Sequence, residues 1–291
     1  MKNICIIGQG FVGSVMSVAC ARVKKNNKKI FKVYGLESKN DYGLKNVTRL
    51  NKGRLPFKSN DQFLKKEFKK IIKSGNFLAT IDDKIITKCK IIIVSINIDV
   101  ANKKRRKKDL QNFKNLIYLI GKRAKRNTLI ILESTLPPGF SEKIVLPIIK
   151  TFKKNLLLSY SYERVMPGTN YLNSLISNYR VYSGINAEAK KKCRDFLNKI
   201  IDTKKYPLTC LQNIRTVETA KILENTYRAV NIAFIDEWTK FSEIGDINLI
   251  SAINAIKMRS THSNIRFPGL GVGGYCLTKD PLFAQYSVNN I

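Results

Sequence analysis

The chain has 291 residues, 44% hydrophobic and 25% charged, a composition typical of a globular protein large enough for two domains. Its 53 lysines and arginines and 21 acidic residues give a net charge of +32, but the basic residues are spread along the chain without interleaved aromatics, so no nucleic-acid partner is expected. No apolar run reaches the roughly 18 residues that a membrane span needs, so no membrane insertion is expected. The sequence has no Cys-x-x-Cys pair and a single histidine, which argues against a metal site. The cysteines are expected to be reduced thiols in the cytoplasm.

Short apolar runs alternate with longer amphipathic segments through the first half of the chain. Five runs are predicted as strands: residues 2–8, 32–37, 90–96, 127–134 and 155–161. This alternation predicts an α/β fold, in which a Rossmann-type parallel sheet carries helices on both faces. The stretch from Ser38 to about Asp61 interrupts the pattern, and the basic run at residues 103–108 is expected to be a solvated loop after a strand.

The first strand leads into three glycines, Gly8, Gly10 and Gly13, and a helix is predicted to follow from Val12 to Val23. Gly8 allows a tight turn, Gly10 lets the backbone approach a pyrophosphate, and Gly13 lets the helix pack closely on the strand. The start of the helix supplies free N–H groups and a positive dipole end for the phosphates. These features favour a dinucleotide-binding turn over a secretion signal.

The second predicted strand ends in Glu37, at the position where an acid binds the ribose hydroxyls of a dinucleotide. A carboxylate there repels the 2′-phosphate of NADP, so NAD is the predicted cofactor. The alternative is a Rossmann domain that binds a flavin or no dinucleotide.

The pattern changes after about residue 206. The segment from Thr216 to Ile244 contains no proline or glycine and has apolar residues at helical spacing, which predicts one helix of roughly 43 Å that ends at Gly245. A second helix is expected from about Asn248 to Lys257, followed by the glycine-rich loop PGLGVGGYC. The expected domains are an NAD-binding Rossmann domain at residues 1–205 and a long-helix α domain at residues 206–291.

Three later stretches carry polar groups suited to catalysis. Thr135 ends an apolar strand at the carboxyl edge of the sheet, where open parallel sheets bind their ligands. Lys221 and Asn225 are four residues apart, which puts an ammonium and an amide on one face of the long helix. Cys276 lies in the glycine-rich loop, and Asp280 follows four residues later. A lone cysteine is usually a small buried residue, but the neighbouring glycines and acid favour a nucleophile.

Taken together, these stretches resemble the nucleotide-sugar 6-dehydrogenases of the UDP-glucose/GDP-mannose dehydrogenase family. The resemblance runs from Met1 to about Phe283 and rests on IIGQGFVG, LNKGRLPF, ESTLPPG, SYERVMPG, AKILENTYRAVN and PGLGVGGYCLTKDP. The ERVMPG and ENTYRAVN segments look more like members acting on UDP-N-acetylhexosamines than like those acting on UDP-glucose or GDP-mannose.

The resemblance implies that a nucleotide-sugar C6 alcohol is oxidised to a carboxylate in two NAD-dependent steps, a reaction that serves polysaccharide biosynthesis. It implies that the Cys276 thiolate attacks the intermediate aldehyde to form a thiohemiacetal, which is oxidised to a thioester and then hydrolysed. Lys221 is implied to stabilise the oxyanion with help from Asn225, and a nearby ammonium is expected to lower the pKa of the thiol.

The remaining roles are also implied by the resemblance. Asp280 is expected to handle a proton through a water molecule, and Thr135 and Glu163 are expected to hold water or to act in acid–base steps. The implied catalytic residues are Cys276, Lys221, Asn225, Asp280, Glu163 and Thr135. The candidate cofactor-binding residues are Gly8, Gly10, Phe11, Val12, Gly13, Glu37 and Thr135.

The sequence departs from the family pattern at several positions. The stretch VSINIDV replaces a common Thr-Pro turn, Tyr275 replaces a common histidine and Thr278 replaces a common proline. Family members also continue into a third domain that binds the UDP moiety, which this chain does not include. We therefore expect the chain to bind NAD and to bind the nucleotide sugar weakly.

A homodimer is predicted through the long helix, where Val230, Phe234, Trp238 and Phe241 recur at helical spacing. The alternative is that these side chains pack on the Rossmann domain. Two other functions remain open from the residues: a two-electron dehydrogenase of the 6-phosphogluconate or 3-hydroxyacid type, which needs no thiol, and a truncated, non-catalytic NAD-binding remnant or basic nucleic-acid-binding protein.

Overall fold

The computed structural model describes residues 1–99 and 103–291, and for residues 103–105 it describes the backbone alone. The strands are β1 (Lys2–Ile7), β2 (Lys24–Lys25), β3 (Lys28–Lys29), β4 (Phe31–Leu36), β5 (Phe77–Thr80), β6 (Ile91–Val94), β7 (Leu129–Leu132), β8 (Leu157–Tyr160), β9 (Arg180–Gly184) and β10 (Leu208–Cys210). The α-helices are α1 (Phe11–Arg22), α2 (Asp41–Asn51), α3 (Gln62–Lys73), α4 (Lys103–Arg123), α5 (Leu146–Lys150), α6 (Tyr171–Ile176), α7 (Ala187–Leu197), α8 (Ile214–Ile244), α9 (Leu249–Lys257), α10 (Tyr275–Lys279) and α11 (Pro281–Asn290).

Eight strands form one sheet in the order β10-β9-β8-β7-β6-β1-β4-β5, and β2 and β3 form a separate hairpin. From β5 to β8 all neighbouring strands are parallel, which reproduces the strand order 3-2-1-4-5-6 of a Rossmann fold. The predicted α/β sheet is therefore confirmed. At one edge the sheet is mixed, because β9 pairs with β8 in antiparallel orientation and β10 runs parallel to β9.

The sheet is covered on both faces by helices, as the sequence predicted. One core lies under α1, α3, α6 and α7, with Met16, Phe68 and Phe196 among its buried side chains. The other core lies under α4, α5 and the first part of α8, with Phe113 and Val217 among its buried side chains. The strands in the middle of the sheet are apolar on both sides because both sides are covered.

The long helix α8 begins where the Asn213 side chain accepts a hydrogen bond from the Thr216 amide at 2.8 Å, two residues earlier than predicted, and it ends at Gly245 as predicted. Its 31 residues correspond to about 46 Å at about 1.5 Å per residue. The first half packs on the sheet, whereas in the second half the buried side chains are Ile235 and Ser242. One helix therefore contributes both to the core of the sheet domain and to an outer surface.

One predicted loop and the predicted interruption of the strand–helix pattern both contain helical residues. The interruption between Ser38 and Asp61 contains α2, whose first turn is capped by the Asn40 side chain. The basic run at residues 103–108 forms the start of α4. Val100, the last residue of the VSINIDV stretch, lies outside the described residues.

Among the described residues, no helix is both long and apolar enough to cross a bilayer.

Candidate functional site

The turn between β1 and α1 has the close contacts that its glycines allow. Gly8 has φ +85°, and a Cβ atom on Gly13 would lie 1.8 Å from the Gly8 carbonyl oxygen. A side chain at Gly13 would therefore force the helix away from the strand. A Cβ atom on Gly10 would meet no atom within 4 Å, so the turn is open on that side. The arrangement leaves room for a phosphate group at the start of α1.

The start of α1 lies beside aromatic side chains. Phe11 is exposed and stacks on Phe57 with ring centroids 4.6 Å apart, while Val12 is half-buried. The Tyr171 hydroxyl donates a hydrogen bond to the Phe11 carbonyl at 2.9 Å. Because the first N–H groups of a helix lack partners within the helix, this end of α1 provides donors for an anion.

Glu37 directly follows β4 and reaches the glycine turn. Its Oε1 accepts hydrogen bonds from the Gln9 amide at 3.1 Å and from Asn46 Nδ2 at 3.2 Å. The carboxylate is half-buried at the carboxyl edge of the sheet. The glycine turn, the helix start and this acid are the three parts that NAD requires of a Rossmann site, and the residues present fit it.

The second part of the site centres on Lys221, which is buried on α8. Its Nζ donates a hydrogen bond to the Glu163 carbonyl at 3.1 Å and lies 3.8 Å from the Glu163 Oε1. The same ammonium lies 5.2 Å from the centre of the Tyr162 ring. The Glu163 carboxylate also accepts a hydrogen bond from the Val165 amide. The structure thus brings Lys221 and Glu163 together in the segment that follows β8.

Asn225, one turn after Lys221, contacts the segment that follows the cysteine. Its Nδ2 donates a hydrogen bond of 2.6 Å to the Asp280 Oδ2, and Asp280 is fully buried. Lys279 Nζ lies 3.0 Å from the other carboxylate oxygen of Asp280. A buried carboxylate needs a cation and hydrogen-bond donors, and these two contacts supply both to Asp280.

Cys276 is exposed on α10, a single helical turn after Gly274 with φ +84°. Partial burial and the charge of Asp280 raise the pKa of its thiol, and Lys221 and Lys279 only partly offset this. Lys221 thus acts in the expected direction and lowers the pKa of the thiol, but burial and the charge of Asp280 outweigh it. The Lys221 ammonium donates its hydrogen bond to Glu163, and the Asn225 amide donates its hydrogen bond to Asp280.

Thr135 is half-buried in the segment that follows β7. Within the described residues it makes no hydrogen bond to the Lys221 or Asp280 groups. The same segment is instead tied to α8 by Glu218, which was not predicted. The buried Glu218 carboxylate accepts hydrogen bonds from the Gly139 amide at 2.6 Å and from the Ser141 amide at 3.0 Å. Its burial raises its pKa to about 7.

Glu218 had a signal in the sequence, because it lies three residues before Lys221 and so shares a helical face with it.

A second unpredicted group lies beside the glycine turn. Glu133 is buried, pairs with Arg180 and accepts a hydrogen bond from the Ser95 hydroxyl at 2.7 Å. Burial raises the pKa of Glu133 although Arg180 opposes this. These contacts connect the ends of β6 and β7 to the start of β9.

Two family models match the chain. Residues 2–202 match the NAD binding domain of the UDP-glucose/GDP-mannose dehydrogenase family, and residues 215–291 match the central domain of the same family. The chain is 32% identical to the UDP-N-acetyl-D-mannosamine dehydrogenase of Methanococcus aeolicus over all of its own length and 62% of that protein. It is 31% identical to the protein of the same name from Methanocaldococcus jannaschii, over 97% of its length and 61% of that protein.

Solved structures show the same architecture. A UDP-D-ManNAc dehydrogenase from Pyrococcus horikoshii superposes with a TM-score of 0.85 at 23% identity, over 100% of this chain and 65% of that one. An NDP-N-acetyl-D-galactosaminuronic acid dehydrogenase from Methanosarcina mazei superposes with a TM-score of 0.81 at 26% identity, over 99% of this chain and 61% of that one. The chain therefore spans less than two thirds of the length of each of these four relatives.

Proposed function

The chain belongs to the UDP-glucose/GDP-mannose dehydrogenase family, and we propose that it oxidises the C6 alcohol of a nucleotide sugar to a carboxylate with NAD as the hydride acceptor. The observation that carries this proposal is the arrangement on α8 and α10. Lys221 and Asn225 hold Glu163 and Asp280, and the exposed thiol of Cys276 lies within the electrostatic reach of Lys221 and Asp280. A simple alcohol dehydrogenase needs no thiol at this position.

We assign NAD to the β1–α1 turn, with Gly8, Gly10 and Gly13 at the pyrophosphate and Glu37 at the adenosine ribose. The first-turn N–H groups at Phe11 and Val12 are assigned to the phosphates. Bound NAD supplies an acceptor for one hydride in each of two oxidations. The half-buried Thr135 at the end of β7 is assigned to the edge of this site, where ligands of open parallel sheets bind.

The proposed covalent chemistry begins at the aldehyde formed by the first oxidation. The Cys276 sulfur bonds to the aldehyde carbon, its proton passes to water, and the carbonyl electron pair moves to oxygen. The raised pKa of Cys276 keeps the thiol protonated at neutral pH, so we infer that deprotonation accompanies the attack. A hydride then leaves the carbon, which gives a thioester, and water hydrolyses it to the carboxylate and the free thiol.

The charged residues around the thiol have distinct proposed roles. Lys221 stabilises the developing oxyanion, because its ammonium is buried, fixed by Glu163 and unable to reorient into solvent. Asn225 fixes the Asp280 carboxylate, which takes part in proton transfer through water. Thr135 and Glu163 hold the attacking water or act as acid and base.

We propose a UDP-N-acetylhexosamine as the substrate. Two relatives that are 31–32% identical across nearly the whole chain are named as UDP-N-acetyl-D-mannosamine dehydrogenases, which supports this choice over UDP-glucose or GDP-mannose. We also propose that the chain works in the cytoplasm, since Cys276 acts only as a reduced thiol and all six cysteines are free.

A homodimer through the outer half of α8 is part of the proposal. Val230, Phe234, Trp238 and Phe241 are 60%, 50%, 45% and 55% exposed, which leaves about half of each apolar side chain available to a partner and supports the dimer. The last three of these side chains contact one another, with ring centroids 6.2 Å and 5.2 Å apart. Exposed aromatic clusters of this kind are typical of protein interfaces.

The test counts the NADH formed per sugar consumed, with UDP-N-acetylmannosamine as substrate. The assay uses the chain alone and the chain fused to the part of the Methanococcus aeolicus relative that it does not match. Two NADH per sugar are expected, and Cys276→Ser is expected to abolish the second oxidation because a hydroxyl is far less nucleophilic. Cys210→Ser, which removes the other exposed thiol, is the matched control. One NADH per sugar, unaffected by Cys276→Ser, would support the two-electron dehydrogenase instead.

A further inference from the structure

Two residues that depart from the family pattern contact each other across the molecule. Asn97 lies in the loop after β6, and its Nδ2 donates a hydrogen bond to the Tyr275 hydroxyl oxygen. The two residues are 178 positions apart in the chain. Tyr275 directly precedes Cys276, so this bond joins the sheet domain to the turn that carries the proposed nucleophile.

On the sheet side, the contact continues to the dinucleotide turn. The residues before Asn97 pack directly on Gly8, because a Cβ atom there would lie 2.8 Å from both the Ser95 carbonyl oxygen and Ile96 Cγ2. The Ser95 hydroxyl is also bonded to the buried Glu133. The loop that holds Asn97 is therefore fixed to the glycine turn over which the pyrophosphate is proposed to bind.

On the cysteine side, the Tyr275 ring lies 5.0 Å from the Lys279 ammonium. Lys279 is buried and pairs with Asp280, which in turn accepts the hydrogen bond from Asn225. A continuous series of contacts thus runs from the glycine turn through Asn97 and Tyr275 to the residues around the thiol.

We propose that Tyr275 is a positioning residue, which holds the Cys276 turn against the sheet domain through Asn97 and so couples occupancy of the dinucleotide site to the position of the thiol. The inference rests on the proposed function for the identity of the dinucleotide and of the nucleophile.

The test measures the rate at which iodoacetamide alkylates Cys276 in a Cys210→Ser background, where Cys276 is the one exposed cysteine left among the described residues. Tyr275→Phe and Asn97→Ala are each expected to raise this rate about 2- to 10-fold, the range for loss of one net hydrogen bond. The double variant is expected to react no faster than either single variant. Tyr275→His replaces the hydroxyl oxygen with a ring nitrogen that can also accept a hydrogen bond from Asn97. Its alkylation rate is expected to be closer to the parent value than that of Tyr275→Phe.

The matched control is Tyr227→Phe. It removes a hydrogen bond of the same kind, from Asn264 to the Tyr227 hydroxyl on α8, and is expected to leave the alkylation rate unchanged. Unchanged rates in both Tyr275→Phe and Asn97→Ala, or effects that add in the double variant, would overturn the proposal.

Coupling is tested with ADP-ribose, which carries the two phosphates but lacks the nicotinamide ring that would shield the sulfur directly. It is expected to slow alkylation in the parent and not in Tyr275→Phe when both proteins are saturated with it, at concentrations set by a calorimetric titration of each. Equal slowing in both proteins contradicts the coupling. Failure of the parent to bind NAD or ADP-ribose contradicts the proposed function. Alkylation of the Tyr275→Phe/Asn97→Ala double variant still decides whether the Asn97–Tyr275 contact holds the Cys276 turn.

Discussion

Glu218 provides a stringent test of how α8 is attached to the sheet domain. It is buried in the folded chain, where its pKa rises from an ordinary 4.5 to about 7. At a pH between these values the unfolded chain has lost this proton and the folded chain retains it. The free energy of unfolding therefore falls as the pH rises through this window, at about 1.4 kcal/mol per pH unit.

Between about pH 5 and about pH 8 this single group should reduce the stability of the chain by about 2–3 kcal/mol. Glu218→Gln removes the titration and also removes one of two acceptors, so either Gly139 or Ser141 loses a buried partner at a cost of about 1–3 kcal/mol. The variant is thus expected to be less stable than the parent at the lower pH, and the difference is expected to shrink or to reverse at the higher pH.

The assay is urea unfolding followed by far-ultraviolet circular dichroism across this pH range, with the parent and variant compared at each pH so that all other titrating groups cancel. Glu188→Gln is the control for loss of one carboxylate, since Glu188 is exposed on α7 and pairs with Lys192 at 2.8 Å. A stability difference between parent and Glu218→Gln that stays constant with pH would refute the reasoning, because it would mean that Glu218 does not titrate in this window.

Four further predictions follow from the geometry. Gly13→Ala is expected to weaken NAD binding about ten-fold or more, since its Cβ would meet the Gly8 carbonyl oxygen at 1.8 Å; an unchanged dissociation constant in a calorimetric titration contradicts this. Glu37→Ala is expected to reduce the ratio of the NADP to the NAD dissociation constant by about ten-fold. If the parent already binds NADP as tightly as NAD, Glu37 does not bind the adenosine ribose as proposed. Alkylation of Cys276 is expected to keep accelerating above pH 9.0, because burial raises its pKa above that ordinary value; a plateau below it would be the contrary result. The chain is expected to sediment as a dimer at micromolar concentration and Trp238→Asp as a monomer, whereas a monomeric parent would argue against the interface.

The sequence predicts those parts of the fold that have local causes. The five predicted strands are buried apolar runs in the sheet, and α8 lacks helix breakers until Gly245, so periodicity was sufficient to find them. The remaining strands β5, β9 and β10 are short and mix polar with apolar residues, so pairing with a neighbouring strand decides their structure. The direction of β9 likewise depends on its partner and has no signature in its own residues.

The candidate site divides in the same way. Lys221 and Asn225 were predictable because both lie on one helix, where spacing fixes the shared face. The partners that they hold were not predictable from spacing, since Glu163 follows β8 and Asp280 follows α10. The pKa of Cys276 depends on burial and on the nearby carboxylate, which only the folded arrangement supplies. Contacts between distant segments, such as Asn97 with Tyr275, have no local cause at all.

The length of α8 gives it the mechanics of a lever. Its first half packs on the sheet and carries Lys221 and Asn225, while its aromatic half extends beyond that contact. A rod of about 46 Å that tilts by about 5° moves its free end by about 4 Å. Conversely, binding that displaces the aromatic end by that distance moves the Lys221 ammonium and the Asn225 amide relative to the turn that carries Cys276. We therefore expect a partner bound at the far end of α8 to change the position of the proposed catalytic side chains without contacting them.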